Sequence, residues 1–173
     1  MEKKELVLYS REAIARRVKE LAKEIDDAYD GEEILVIGLL RGSFVFCSDL
    51  VRDMESKMEI DFMTTSSYEN NESSSGDVKV FGDLRSEVGG RHVLIVDDII
   101  DTGHTLKTVA EAINKMGPAS LKTAVMLDKP SRREVDFSAD FTGFTIDDVF
   151  IVGYGLNYGP YYRNKPYIYT YED

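Results

Sequence analysis

Three short, continuously apolar runs constrain this chain most: Ile34-Leu35-Val36-Ile37, Leu94-Ile95-Val96 and Ala124-Val125-Met126-Leu127. A strand with one wet face alternates apolar and polar residues. A strand apolar at every position is buried on both faces, as in the middle of a parallel sheet covered by helices. Between the second and third runs, Leu106, Val109, Ala110 and Ile113 recur at helical spacing, and Gly117-Pro118 closes the segment. Strand, helix, strand over that span reads as a βαβ unit with a right-handed crossover. Upstream, Ser10 is an N-cap candidate for a helix whose core stripe is Ile14, Val18, Leu21 and Ile25, with Gly31 as its stop. Further strands are expected around Glu59–Ser66 and Val78–Leu84, and strand-like segments at Val149–Tyr154 and Tyr167–Tyr171. The pattern predicts an α/β fold with a mainly parallel central sheet flanked by helices. Residues 1–173 show no internal repeat or composition break and are read as a single domain.

Composition narrows the function classes. The net charge is −11, with 32 acidic residues. Such a field opposes nucleic acid and anionic lipid, so neither is expected as a partner. A small polyanionic substrate remains compatible if metal ions and backbone donors offset the field locally. The single cysteine, Cys47, lies in the apolar run Phe44-Val45-Phe46-Cys47 and reads as a packing residue rather than a nucleophile. No stretch reads as a signal peptide or a membrane span, so a cytoplasmic location is the expectation.

In open parallel sheets, ligands bind beyond the carboxyl ends of the strands. There the most informative segment is Val93-Leu94-Ile95-Val96-Asp97-Asp98-Ile99-Ile100-Asp101-Thr102-Gly103-His104-Thr105. A buried strand ends in two adjacent carboxylates, a third follows, and a small-residue turn opens a helix. Thr102, Gly103 and Thr105 offer N–H groups and hydroxyls to an anion at the helix N-terminus. Carboxylates beside such a cup repel the anion unless something lies between them, and ribose hydroxyls or Mg²⁺ both fit. A lone aspartate would read as a cap or a solvated loop residue; three with a Gly-Thr turn read as a site. The segment is not a Walker A loop, and no Gly-x-Gly-x-x-Gly follows the first strand.

The run Asp97-Asp98-Ile99-Ile100-Asp101-Thr102-Gly103-His104-Thr105 resembles the phosphoribosyl-pyrophosphate motif of type I phosphoribosyltransferases, in the form found in hypoxanthine-guanine phosphoribosyltransferases. The resemblance covers nearly the whole chain. It implies a small base-binding hood and a mobile lid loop beside the central sheet. It implies transfer of phosphoribosyl from 5-phosphoribosyl-1-pyrophosphate to a 6-oxopurine, with Mg²⁺ as cofactor. Asp97 and Asp98 would then meet the ribose hydroxyls and the metal; the family usually carries Glu at the first of these. Asp101 would be the general base near purine N7, and Asp101, Thr102, Gly103, His104 and Thr105 would hold the 5′-phosphate. Leu40, Arg41 and Gly42, in Gly38-Leu39-Leu40-Arg41-Gly42-Ser43, match the pyrophosphate loop, for which a cis peptide at Leu40–Arg41 is implied in some states. Arg163 matches an arginine that pairs with pyrophosphate. Ser67-Tyr68, ahead of the polar loop Ser73–Gly76, match the lid.

For the base, the resemblance assigns Lys129 to the purine 6-oxo group, Phe150 to ring stacking and the backbone of Ile151 to the base edge. Read alone, Lys129 would be a strand-end residue and Phe150 core. Asn157 stands where the family usually has Asp, which bears on guanine recognition and on a second metal. The preferred purine among hypoxanthine, guanine and xanthine is left open. The family forms dimers and tetramers, so a homodimer or homotetramer is implied. A reading from another class is a regulatory module on the same fold that senses phosphoribosyl pyrophosphate and binds nucleic acid. The acidic balance, the absence of a basic patch and the filled general-base and Lys129 positions stand against it.

Overall fold

In the computed structural model, residues 3–67, 78–81 and 84–172 are described. Chain order is β1 (Glu5–Tyr9), α1 (Arg11–Tyr29), β2 (Ile34–Leu40), α2 (Phe44–Asp53), β3 (Met58–Ser67), β4 (Val78–Phe81), β5 (His92–Ile100), α3 (His104–Asn114), β6 (Ser120–Asp128), β7 (Phe141–Thr145) and β8 (Ile168–Tyr171), with a 3₁₀ turn at Pro130–Arg132 after β6. Six strands form one sheet in the order β4-β3-β2-β5-β6-β7. Every neighbouring pair is parallel except β3–β4, where Ser67 faces Val78 across an antiparallel edge.

The three apolar runs are β2, β5 and β6, the centre of this sheet. Side chains alternate between its faces, and the two faces belong to two cores. Val36, Leu94, Val96, Ala124 and Met126 pack with the α1 and α2 residues Ile14, Val18, Leu21, Ile25, Phe46 and Leu50. Leu35, Ile37, Val93, Ile95 and Val125 pack on the other side with Leu106, Val109, Ala110 and Ile113 of α3. Both faces are dry, which is why the runs lack polar alternation. Ser10 caps α1, accepting the Ala13 N–H at 3.1 Å, and the helix ends with Asp30 and Gly31 both at positive φ. Cys47 lies in the core, where burial pushes its thiol up to about 11.

A second, two-stranded antiparallel sheet pairs β1 with β8. The expected strand at Val149–Tyr154 is not formed; Val152 and Gly153 pair only in isolated bridges, to Tyr169 and Leu156. The cause is local: Gly153, Tyr154 and Gly155 have φ of 97°, 51° and 98°, and three successive left-handed residues cannot continue a ladder. β7 and β1 went unread because Phe141–Thr145 is short and split by Gly143, while Glu5–Tyr9 carries only a brief apolar patch. Gly143 is required there: a Cβ would meet the Met126 carbonyl oxygen at 2.4 Å.

Candidate active site

β2 and β5 end side by side, and the loops that leave them line one cleft of ≈ 220 Å³. Leu39, Leu40, Arg41 and Gly42 form one wall. Asp97, Asp98, Ile99, Ile100, Asp101, Gly103, Thr105 and Leu106 form the other, with Thr65 of β3 at the side. Eight of the residues singled out above thus meet in one hollow: Leu40, Arg41, Gly42, Asp97, Asp98, Asp101, Gly103 and Thr105. The peptide Leu40–Arg41 is cis. Ser43, fully buried, donates its hydroxyl to the Leu39 carbonyl and so ties the loop back to β2 before α2 begins.

All three carboxylates are fixed in the same way. Asp97, Asp98 and Asp101 each accept the N–H of the following residue, at 2.9, 2.8 and 2.7 Å. One oxygen of each is thereby held, and none has a salt-bridge partner among the described residues. Burial raises the proton affinity of Asp97 well above the usual carboxylate range, and the charge of Asp98 adds to it. Burial raises Asp98 as well, against the N–H bonds it accepts and the charge of Arg163. Two adjacent carboxylates, one buried and one half-buried, that resist full ionisation suit a divalent cation, which would relieve the repulsion. Among the described residues no three His, Cys, Asp or Glu side chains cluster to cage a metal alone. These residues therefore fit Mg²⁺ shared with substrate oxygens and water rather than a closed protein site.

The turn after β5 is built for an anion. Gly103, at φ 89°, is the N-cap of α3, and its carbonyl accepts the Lys107 N–H at 3.0 Å. The positive end of the helix faces the turn. Thr102 and His104 lie in the same turn; the Thr102 hydroxyl accepts the His104 N–H at 3.4 Å, and the His104 ring pairs with Glu134 at 2.7 Å.

Gly42, in the loop after β2, is pinned from two sides. An added Cβ would lie 1.9 Å from Asp98 Oδ2, and the Gly42 carbonyl oxygen lies 2.1 Å from where a Cβ on Gly155 would stand. Gly155 is in turn locked to Arg163, whose Nη1 donates to the Gly155 carbonyl at 2.8 Å while the Gly155 N–H reaches the Arg163 carbonyl at 2.8 Å. This contact brings Arg163, half-buried, to bear on Asp98.

The remaining expected residues stand further out. Lys129 is buried at the end of β6, its N–H bonded to the Ile100 carbonyl at 2.9 Å. Burial lowers its ammonium pKa, opposed by the charges of Asp148 and Asp101. Phe150 is 54 % exposed and stacks edge-on against Tyr158, lining a separate hollow with Leu6, Asp148 and Tyr171. Ile151 is buried, and the Asn157 amide donates to the Gly159 carbonyl at 2.7 Å. Ser67 ends β3 opposite Val78; Tyr68 and Ser73–Gly76 lie outside the described residues. Sequence reading missed Thr65 and Ile99 as cleft residues. The available signal was position alone, since both sit at the carboxyl ends of strands of the parallel sheet.

The chain matches the model of the phosphoribosyl transferase domain over residues 7–159. It is 50 % identical to the hypoxanthine-guanine phosphoribosyltransferase of Aquifex aeolicus over 172 residues, covering 99 % of this chain and 97 % of the relative. It is 46 % identical to the hypoxanthine phosphoribosyltransferase of Escherichia coli, covering 94 % and 92 %. A crystal structure of a hypoxanthine-guanine phosphoribosyltransferase from Bacillus anthracis superposes with a TM-score of 0.93 at 43 % identity, covering 99 % of this chain and all of that one.

Proposed function

The chain belongs to the phosphoribosyltransferase family, and from that premise we propose that it is a purine-salvage transferase. It joins the phosphoribosyl group of 5-phosphoribosyl-1-pyrophosphate to hypoxanthine and guanine, giving IMP, GMP and pyrophosphate. The observation that carries this reading is the meeting of three things in one cleft: the Leu40–Gly42 loop, the Asp97–Asp98 pair and the Asp101–Thr105 turn. A substrate with phosphate at one end, pyrophosphate at the other and a diol between them matches that order.

In this reading Asp101, Thr102, Gly103, His104 and Thr105 hold the 5′-phosphate. Asp97 and Asp98 take the ribose hydroxyls and Mg²⁺, and Leu40, Arg41, Gly42 and Arg163 take the pyrophosphate. Bound Mg²⁺ supplies charge neutralisation on the leaving pyrophosphate. Displacement at C1′ develops positive charge on the sugar. Purine N9 attacks as pyrophosphate leaves, and the exposed carboxylate of Asp101 accepts the N7 proton. The two arginines meet the departing negative charge. Lys129 donates to the 6-oxo group; its lowered pKa reflects a partly dry seat in which one such hydrogen bond counts for more than in water. Phe150 stacks on the purine, Ile151 reads the base edge through its backbone, and Asn157 stands beside it. Ser67 and Tyr68 close the lid.

The same reading makes residues 1–173 one phosphoribosyltransferase domain, active in the cytoplasm as a homodimer or homotetramer. Among the described residues no helix is long and apolar enough to cross a membrane. The oligomer is supported by an apolar hollow between α2 and β3, where Phe44, Ile60 and Phe62 are 44, 43 and 41 % exposed.

Asp101→Asn tests the mechanism. A general-base role predicts that kcat falls roughly 10²–10⁴-fold, while the KM values for hypoxanthine and phosphoribosyl pyrophosphate change only a few-fold. A proportional loss of both would make Asp101 a structural residue.

A further inference from the structure

The back of the phosphate turn is held by a segment with no role in the assignments above. We propose that Arg133 is a positioning residue for the 5′-phosphate cup, acting directly on the Asp101–Thr102 peptide and, by anchoring the segment that follows it, on the Thr102–Gly103 peptide; the proposal rests on the reading of Asp101–Thr105 as that cup.

Arg133 follows the 3₁₀ turn that leaves β6, and its side chain is only 18 % exposed. Its guanidinium spends its donors on three separate segments. Nε donates to the Asp101 carbonyl at 3.1 Å, Nη1 to the Phe137 carbonyl at 2.7 Å, and Nη2 to the Asp128 carboxylate. The next residues continue the seam: the Glu134 N–H donates to the Thr102 carbonyl at 2.9 Å, and the Val135 N–H to the same oxygen at 3.4 Å. Gly103 is required because the seam is tight, for a Cβ there would lie 2.9 Å from Val135 Cγ2 and 3.0 Å from Arg133 Cδ.

Two consequences follow from the geometry of a trans peptide, whose C=O and N–H point in opposite directions. With the Thr102 carbonyl drawn to the seam, the Gly103 N–H points away from it, and Gly103 itself lines the cleft. With the Asp101 carbonyl drawn to Arg133, the Thr102 N–H is also turned away, and there it holds Asp101 Oδ1 at 2.7 Å. The half-buried guanidinium thus sets the Asp101 carboxylate through the Thr102 N–H, while the two backbone N–H groups that follow it in the chain set the Gly103 N–H. The fork geometry of arginine matters, because a lysine offers a single ammonium and cannot reach three acceptors in fixed directions.

The test compares IMP with inosine, which lacks only the phosphate, in the wild type, Arg133→Gln and Arg133→Lys. Dissociation constants are measured by titration alongside hypoxanthine turnover. In Arg133→Gln we expect IMP affinity to fall at least tenfold while inosine affinity changes less than twofold; Arg133→Lys should recover part of the loss. A purely structural role would weaken both ligands in proportion. That result, or an unchanged IMP-to-inosine ratio, overturns the proposal. If Arg133→Gln does not fold, Arg133→Lys carries the test, with at least a threefold drop in the ratio expected and an unchanged ratio contradicting it. The parent reading fails separately: a wild type that binds inosine as tightly as IMP shows that the turn is no 5′-phosphate cup, and the proposal goes with it.

Discussion

Asp97 and Asp98 illustrate what a functional residue costs its own fold. Both are drawn toward the protonated state by burial, and Asp97 further by the neighbouring charge. The consequence for stability has a definite sign. Between the unfolded carboxylate value of about 3.9 and the raised native value of Asp97, the native state holds more protons than the unfolded chain. Stability from this group is therefore complete below that unfolded value and is lost as pH rises through the native one. Replacing the charge should return it. In metal-free buffer at pH 7, Asp97→Asn should melt above the wild type by roughly 2–4 °C, the shift that about 1 kcal/mol gives a domain of this size. The gain should vanish near pH 4, and turnover should fall. A variant no more stable than the wild type at pH 7 would contradict the account of the pair. This acidic pair and its Gly-Thr turn were legible in sequence because the chemistry is local: consecutive residues at the end of an apolar run. Arg133 was not, because its three acceptors are contributed by residues 101, 128 and 137, which only the fold brings together.

At the scale of elements, the site depends on a contact between segments distant in sequence, the Gly42 loop after β2 and the Gly155 turn after β7. Gly155 has φ 98° and no room for a side chain against the Gly42 carbonyl. Gly155→Ala should cost about 1–3 kcal/mol for the backbone conformation alone. It should also displace the Leu40–Gly42 loop and, on the proposed reading, raise KM for phosphoribosyl pyrophosphate about tenfold or more. Gly159→Ala is the control: φ is 57° and nothing lies within 4 Å of its Cβ, so KM should not move. Equal effects of the two substitutions would mean that the contact carries no functional weight. Central strands and α1 were readable because periodicity and caps report burial directly. The Val149–Tyr154 segment was misread because Ile151, Val152 and Tyr154 are buried without a continuous ladder, and the positive φ of Tyr154 leaves no mark in composition.

At the scale of the whole molecule, a surface of net charge −11 surrounds a site built for a polyanion. On the proposed reading, backbone donors, Arg41, Arg163 and Mg²⁺ offset the field locally, and turnover should require the metal. In the proposed oligomer, the exposed apolar hollow between α2 and β3 seats a second copy. Light scattering should return a dimer or tetramer mass, and Ile60→Glu should lower it; a wild-type monomer at micromolar concentration would remove that reading. The central claim is the reaction itself. It is tested most directly by a spectrophotometric assay with phosphoribosyl pyrophosphate and Mg²⁺, offering hypoxanthine, guanine, xanthine and adenine in parallel. The account predicts turnover of hypoxanthine and guanine, abolished by a chelator, with adenine unused. Binding of phosphoribosyl pyrophosphate without turnover of any 6-oxopurine would contradict it and favour a sensing module on the same fold.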